Sequence, residues 1–142
     1  MAWKRAGSRG VEGNPDALAV HPDDAKKVAT ATPNGVFQSS DAGESFSRIA
    51  ASQGTTVFFD LDGKHLWYGS YDREARLARA PLNDGPTTRY KLPPLTKDAV
   101  SFIAQNPARR SEYAIATFNR DVYISSDGAK TWKAIAERGE AK

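Results

Sequence analysis

The feature that most constrains the fold is an eight-residue segment that occurs twice. Ser39-Ser40-Asp41-Ala42-Gly43-Glu44-Ser45-Phe46 returns 86 residues later as Ser125-Ser126-Asp127-Gly128-Ala129-Lys130-Thr131-Trp132. The likeness extends upstream. Residues 28–34 match 113–119, Val36-Phe37 matches Val122-Tyr123, and His21-Pro22 lines up with Asn106-Pro107. Half of the spacing is about 43 residues, the length of a four-stranded propeller blade. A degenerate third unit is therefore expected between the two clear ones.

The intervening sequence supplies it. Thr56-Val57-Phe58-Phe59-Asp60 reads as a strand, Leu61-Asp62-Gly63-Lys64 as a tight turn, and Leu66-Trp67-Tyr68-Gly69 as a second strand. Ala75-Arg76-Leu77-Ala78-Arg79 and Thr88-Arg89-Tyr90-Lys91-Leu92 complete a set of four. These segments are short, rich in β-branched and aromatic residues, and divided by Asn, Asp, Gly and Pro. No segment sustains a helical period over three turns. The expected architecture is all-β: three four-stranded propeller blades at about 17–50, 55–93 and 99–136, forming a single unit over residues 1–142. Residues 2–6 resemble residues 131–135, the last strand of the third unit, and so read as a leftover outer strand of a preceding blade.

Composition removes several function classes. The chain has no cysteine, which excludes disulfides, thiolate metal sites and cysteine nucleophiles. Its two histidines, His21 and His65, are too few for a histidine-rich metal site, and Asp23-Asp24 lacks the alternating oxygen ligands of a calcium loop. His21, ahead of Pro22, reads as a turn residue. No P-loop, dinucleotide glycine pattern or zinc spacing occurs, so no cofactor or metal is expected. No stretch approaches the ~20 apolar residues of a membrane span, and no secretory signal follows Met1. The net charge of +3 is dispersed. Lys26-Lys27 and Arg109-Arg110 lack interleaved aromatic residues and read as solvated turns, so no nucleic-acid partner is expected.

The repeated octapeptide resembles the Asp-box, or BNR repeat, Ser-x-Asp-x-Gly-x-Thr-Trp. The first copy substitutes Ser45 for Thr and Phe46 for Trp. The second has Gly128-Ala129 where the pattern has x-Gly, and a different turn is expected there. In both, a short carboxylate (Asp41, Asp127) folds back on backbone N–H groups that a sharp turn leaves unpaired. Gly43 or Gly128 supplies a positive φ, and Phe46 or Trp132 packs between blades. The roles of Ser39, Asp41, Gly43, Phe46, Ser125, Asp127, Thr131 and Trp132 are thus structural, and no catalytic residue is assigned. The run His21-Pro22-Asp23-Asp24 before a strand, then Gly35-Val36-Phe37-Gln38-Ser39-Ser40-Asp41, looks most like the sialidase-like bacterial propellers labelled glycosyl hydrolases. That resemblance implies an exported bacterial protein and a full-length relative with about twice as many blades; the compartment is otherwise open.

Three blades cannot close a ring, since propellers typically need about four to eight. A second copy joined head to tail would give about six blades as a homodimer; the alternative is a fragment whose missing part covers both faces. In such a ring the leftover strand would compete with the last strand of the facing blade. Ligands of propellers usually bind where the loops between second and third strands gather with the blade-to-blade connections. Tyr71, Asp72, Arg73, Glu74, Asn119, Arg120 and Asp121 form the richest polar set there. Two functions stay open: a non-catalytic scaffold that binds a protein, peptide or glycan, and a sialidase-like glycosidase or an inactive fragment of one. The second requires a Tyr71–Glu74 nucleophile and base with three converging arginines. Arg73 and Arg120 offer two, and Asn34-Gly35 offers no third.

Overall fold

The computed structural model describes residues 9–142. The expected leftover strand at residues 2–6 lies outside the described residues. The rest folds as three antiparallel sheets in chain order. The first contains β1 (Ala17–Val20), β2 (Val28–Thr32), β3 (Gly35–Ser39) and β4 (Ser47–Ala50). The second contains β5 (Gln53–Phe59), β6 (His65–Tyr71), β7 (Ala75–Pro81) and β8 (Thr88–Tyr90). The third contains β9 (Val100–Gln105), β10 (Tyr113–Thr117), β11 (Val122–Ser125), β12 (Lys133–Glu137) and β13 (Glu140–Ala141). Each sheet is a meander whose strands lie side by side in sequence order. The third runs past residue 136, because Arg138 and Gly139 take positive φ and turn β13 back onto the outer edge of β12.

Period-2 alternation explains the stacking. In β6, Leu66 and Tyr68 point to the first sheet, where they join Ala29, Ala31, Val36, Val57 and Phe59 in one core. Trp67, on the opposite face, joins Leu77, Tyr113 and Ala129 in a second core against the third sheet. The middle sheet is therefore packed on both faces, and Leu66, Trp67 and Tyr68 of β6 form a continuous apolar run. Small alanines on β2 let the first sheet approach β5 closely. Tyr113 is held among Trp67 and Tyr90, and burial pushes its hydroxyl up to about 12.

The two octapeptides form the same turn. Ser39 Oγ donates to Asp41 Oδ1 (2.7 Å) and accepts from Gly43 N (2.9 Å), while Ser45 N donates to Asp41 Oδ1 (2.9 Å). Ser125, Asp127, Ala129 and Thr131 repeat this at 2.8, 2.9 and 2.9 Å. The expected difference between the turns is absent. Ala42-Gly43 adopt φ of 62° and 85°, and Gly128-Ala129 adopt 75° and 73°, so each turn holds one alanine in the left-handed region. The hydrogen-bond network over-determines the backbone, and the glycine can occupy either place. The Ala129 methyl is fully buried in the second core. Both turns also clip to the neighbouring loop of their own sheet: Ala42 N donates to Lys26 O and Gly128 N to Ser111 O.

These bonds set an acid response. The Ser45 hydroxyl and N–H, with the Ser39 hydroxyl, hold Asp41 at about 2; Thr131 and Ser125 do the same for Asp127. A carboxylate depressed in the folded state adds stability that is complete above its unfolded value and is lost as pH falls through the folded one. Thermal melts of the native chain and of Asp41→Asn/Asp127→Asn should therefore differ most near neutral pH. Their midpoints should converge between about pH 4 and pH 2. A midpoint difference that stays constant down to pH 2 would rule this out.

Candidate functional site: the loop face and the inner trough

In a meander the loop between second and third strands lies at the same end of the sheet as the connection to the next sheet. Three such loops gather here: residues 32–35, 71–75 and 117–122. The connections at 51–53 and 91–99 join them. The inner strands β1, β5 and β9 stand side by side and line an open trough of about 850 Å³. Leu18, Val20, Phe102 and Phe118 all border the trough and are all largely exposed.

The expected polar set does not converge. Tyr71 lines a hollow of about 380 Å³ with Gln53, Thr55, Lys97, Asp98, Ala99 and Phe118. Asn119 and Arg120 line a separate hollow with Phe118 and Arg138. Glu74 belongs to a third, beside Arg76, Arg89 and Lys91. Arg73 sits at the tip of its turn with φ 65° and a 95 % exposed side chain, 3.9 Å from Asp72. Asp121 is a turn residue whose Oδ1 accepts from Arg138 N (2.9 Å). The two arginines thus point into different spaces. The three-arginine clamp that a sialidase-type site needs is not assembled among the described residues.

What joins two of the hollows is Phe118, 60 % exposed at the end of β10. It lies outside the expected set, whose members are polar or charged apart from the ring of Tyr71. The signal lay in its position: an aromatic residue at the loop end of a strand, where turn residues would suffice. Beneath it Asp98 is buried, and its Oδ1 caps the loop by accepting from Ala99 N (2.9 Å) and Asn119 N (3.0 Å). The loop bearing Phe118 is therefore tied to the connection from the second sheet. Arg120 N donates to Thr117 O, and Asp121 N to the Thr117 hydroxyl. The platform is rigidly based.

At the opposite end, Asp60, Asp62 and His65 bring one ligand atom each within 4.8 Å of one another. Their present bonding is local. Asp60 Oδ1 accepts from Lys64 N and His65 N, and its Oδ2 lies 2.9 Å from His65 Nδ1. Burial pushes the Asp60 carboxyl up, while its hydrogen bond to Asp62 holds the latter down. The cluster closes the β5–β6 turn and is the group of described residues best able to take a cation.

His21 is more than a turn residue. Its Nδ1 accepts from Asp23 N and Asp24 N (both 3.0 Å), and its Nε2 donates to Gly63 O (2.7 Å), which clasps the first sheet to the second.

No protein-family model matches the sequence, and no curated protein is significantly similar to it. Solved structures are. YCF48 from Cyanidioschyzon merolae superposes with a TM-score of 0.64 at 18% identity, over 84% of this chain and 36% of that one. An ancestral GH74 enzyme gives a TM-score of 0.69 at 16% identity, over 89% and 20%. YCF48 bound to a D1 peptide gives 0.64 at 12% identity, over 89% and 46%. The chain spans less than half the length of each of these proteins. The three sheets are β-propeller blades, and the chain corresponds to part of a larger propeller of the kind found in YCF48 and the GH74 enzymes.

Proposed function

We propose that the chain is a non-catalytic propeller scaffold that completes its ring with a second copy and binds a peptide or glycan on its loop face. The observation that carries this reading is the Phe118 platform. An exposed ring on a rigidly tied loop, flanked by Tyr71 on one side and Arg120 on the other, offers stacking area with polar groups at its rim. That combination suits an extended ligand lying across blades. A fold-mate, YCF48, is seen with a D1 peptide, which supports a peptide as ligand class. The separation of Tyr71, Glu74 and Arg120 into different hollows, with Arg73 at an exposed turn tip, weighs against glycoside hydrolysis, which needs its groups around one bond.

Peptide and glycan arrays probed with labelled protein should give binders whose affinity falls about tenfold or more in Phe118→Ala, the loss typical of an aromatic anchor. Binders unaffected by that change would place the site elsewhere. Light scattering should give about twice the 15.4 kDa chain mass. Hydrolysis of a sialoside or other glycoside, lost in Tyr71→Phe or Glu74→Gln, would replace this reading with the glycosidase.

A further inference from the structure

The two terminal blades carry the two halves of an interface that the chain already makes once inside itself. Between the first and second blades, Ala29, Ala31 and Val36 are fully buried, with Ala19 and Ile49 packed around them. They meet Val57 and Phe59 of β5. In the third blade the corresponding places are held by Ala114, Ala116, Val122 and Ile135, with Ala104 in β9. The register supports the equivalence: Ala114 pairs with Ala104 and Ile124, and Ala116 with Phe102 and Val122. All of these share the face turned away from Tyr113 and the second blade. Blade three therefore presents to solvent the side chains that blade one buries.

The other half lies on β1. The three inner strands end at equivalent turns, closed by His21 N to Lys27 O, Asp60 N to His65 O and Asn106 N to Glu112 O. Counting back from these turns, Val20 and Leu18 stand where Phe59 and Val57 stand in β5. Alternating with Ala17 and Ala19, they face away from the second blade, and they are 55% and 67% exposed. Of the five large apolar side chains that stay exposed among the described residues, Leu18, Val20, Phe102 and Ile135 belong to these two terminal faces. Residues 9–16 run from the β3–β4 turn, where Phe46 N donates to Arg9 O, to the loop end of the first blade, where the Thr32 hydroxyl donates to Glu12 O, and Leu18 and Val20 stay exposed.

One chain carries both halves of the contact, so a second copy supplies to each terminal face the half that it lacks. We propose that the outer face of blade three docks on β1 of a second copy, with Ala104, Ala114 and Ala116 against Leu18 and Val20. This is a head-to-tail contact that repeats the chain's own interface between blades one and two. It rests on the proposed ring with a second copy and adds which faces meet.

The cysteine-free chain permits a direct test. By equivalence with Ala19 and Phe59, Ala104 of one copy lies near Val20 of the other. A mixture of Ala104→Cys and Val20→Cys chains should form a disulfide-linked pair under mild oxidation, and neither variant alone should do so. Ala116→Arg places a charge at the centre of the contact on a face that is free in the single chain. It should therefore leave circular dichroism unchanged and raise the dimer dissociation constant at least tenfold. A dimer by light scattering that cross-links Ala104→Cys to itself, or fails to link the mixed pair, overturns the face assignment and leaves only self-association standing. A monomer at all concentrations overturns both.

Discussion

Trp67→Ala is expected to cost about 3–5 kcal/mol, the range for deleting a large aromatic side chain from a packed core. The indole is 1% exposed. It stacks on Tyr90 at 4.9 Å with a 17° interplanar angle and tilts against Tyr113 at 4.6 Å. The Arg79 guanidinium lies 5.7 Å from its centroid and also approaches Tyr90. Few neighbours can collapse into the space, because Tyr90 and Tyr113 come from different blades and are each fixed by their own strand. For a chain of this size the loss is a large share of a total near 5–15 kcal/mol. It falls on the joint between blades two and three. Stacked repeats interact only with their neighbours, so hydrogen exchange should rise first in β9–β12 and later in β1–β4. Urea unfolding followed by circular dichroism checks the size, and amide exchange the order. A cost below about 1.5 kcal/mol, or uniform loss of protection, would mean that the joint is not where stability is concentrated.

The sequence carried the blades because each used a signal of short range. Ser39 with Asp41 and Ser125 with Asp127 build their turns from residues within six positions, so the repeat is visible without knowing the fold. The middle blade has no octapeptide. It was legible only through the alternation of Leu66, Trp67 and Tyr68, which both faces of a buried sheet turn into a continuous apolar run. What escaped was of two kinds. β13 is two residues, Glu140-Ala141, with neither β-branching nor alternation to mark it; the positive φ of Arg138 and Gly139 creates it. The exposed ring of Phe118 escaped because it is apolar and the expected site residues are polar. The separation of Tyr71, Glu74 and Arg120 into different hollows depends on how far apart neighbouring blades hold their loops, which no local pattern encodes.

The clasp between blades one and two was equally invisible, since His21 and Gly63 lie 42 positions apart, and it gives the second large expected effect. Gly63 has φ +72°, where an L side chain costs about 1–2 kcal/mol. A Cβ built there would lie 2.7 Å from His21 Cε1 and 2.8 Å from its Nε2. The ring cannot swing aside cheaply, because Asp23 N and Asp24 N hold its Nδ1 and Phe59 packs at its edge, 5.4 Å between centroids. Overpacking of this kind adds about 1–3 kcal/mol, so Gly63→Ala should lose about 2–5 kcal/mol in all. Its two parts are separable by a double-mutant cycle. His21→Ala alone removes the clasp and leaves its backbone partners to water, a smaller loss. In the background of His21→Ala the methyl at residue 63 meets no ring, so only the backbone contribution remains. The two changes should therefore sum to less than their separate costs, by about 1–3 kcal/mol. Strict additivity would show that the strain at residue 63 lies wholly in its backbone and that His21 and Gly63 hold the blades together through the hydrogen bond alone.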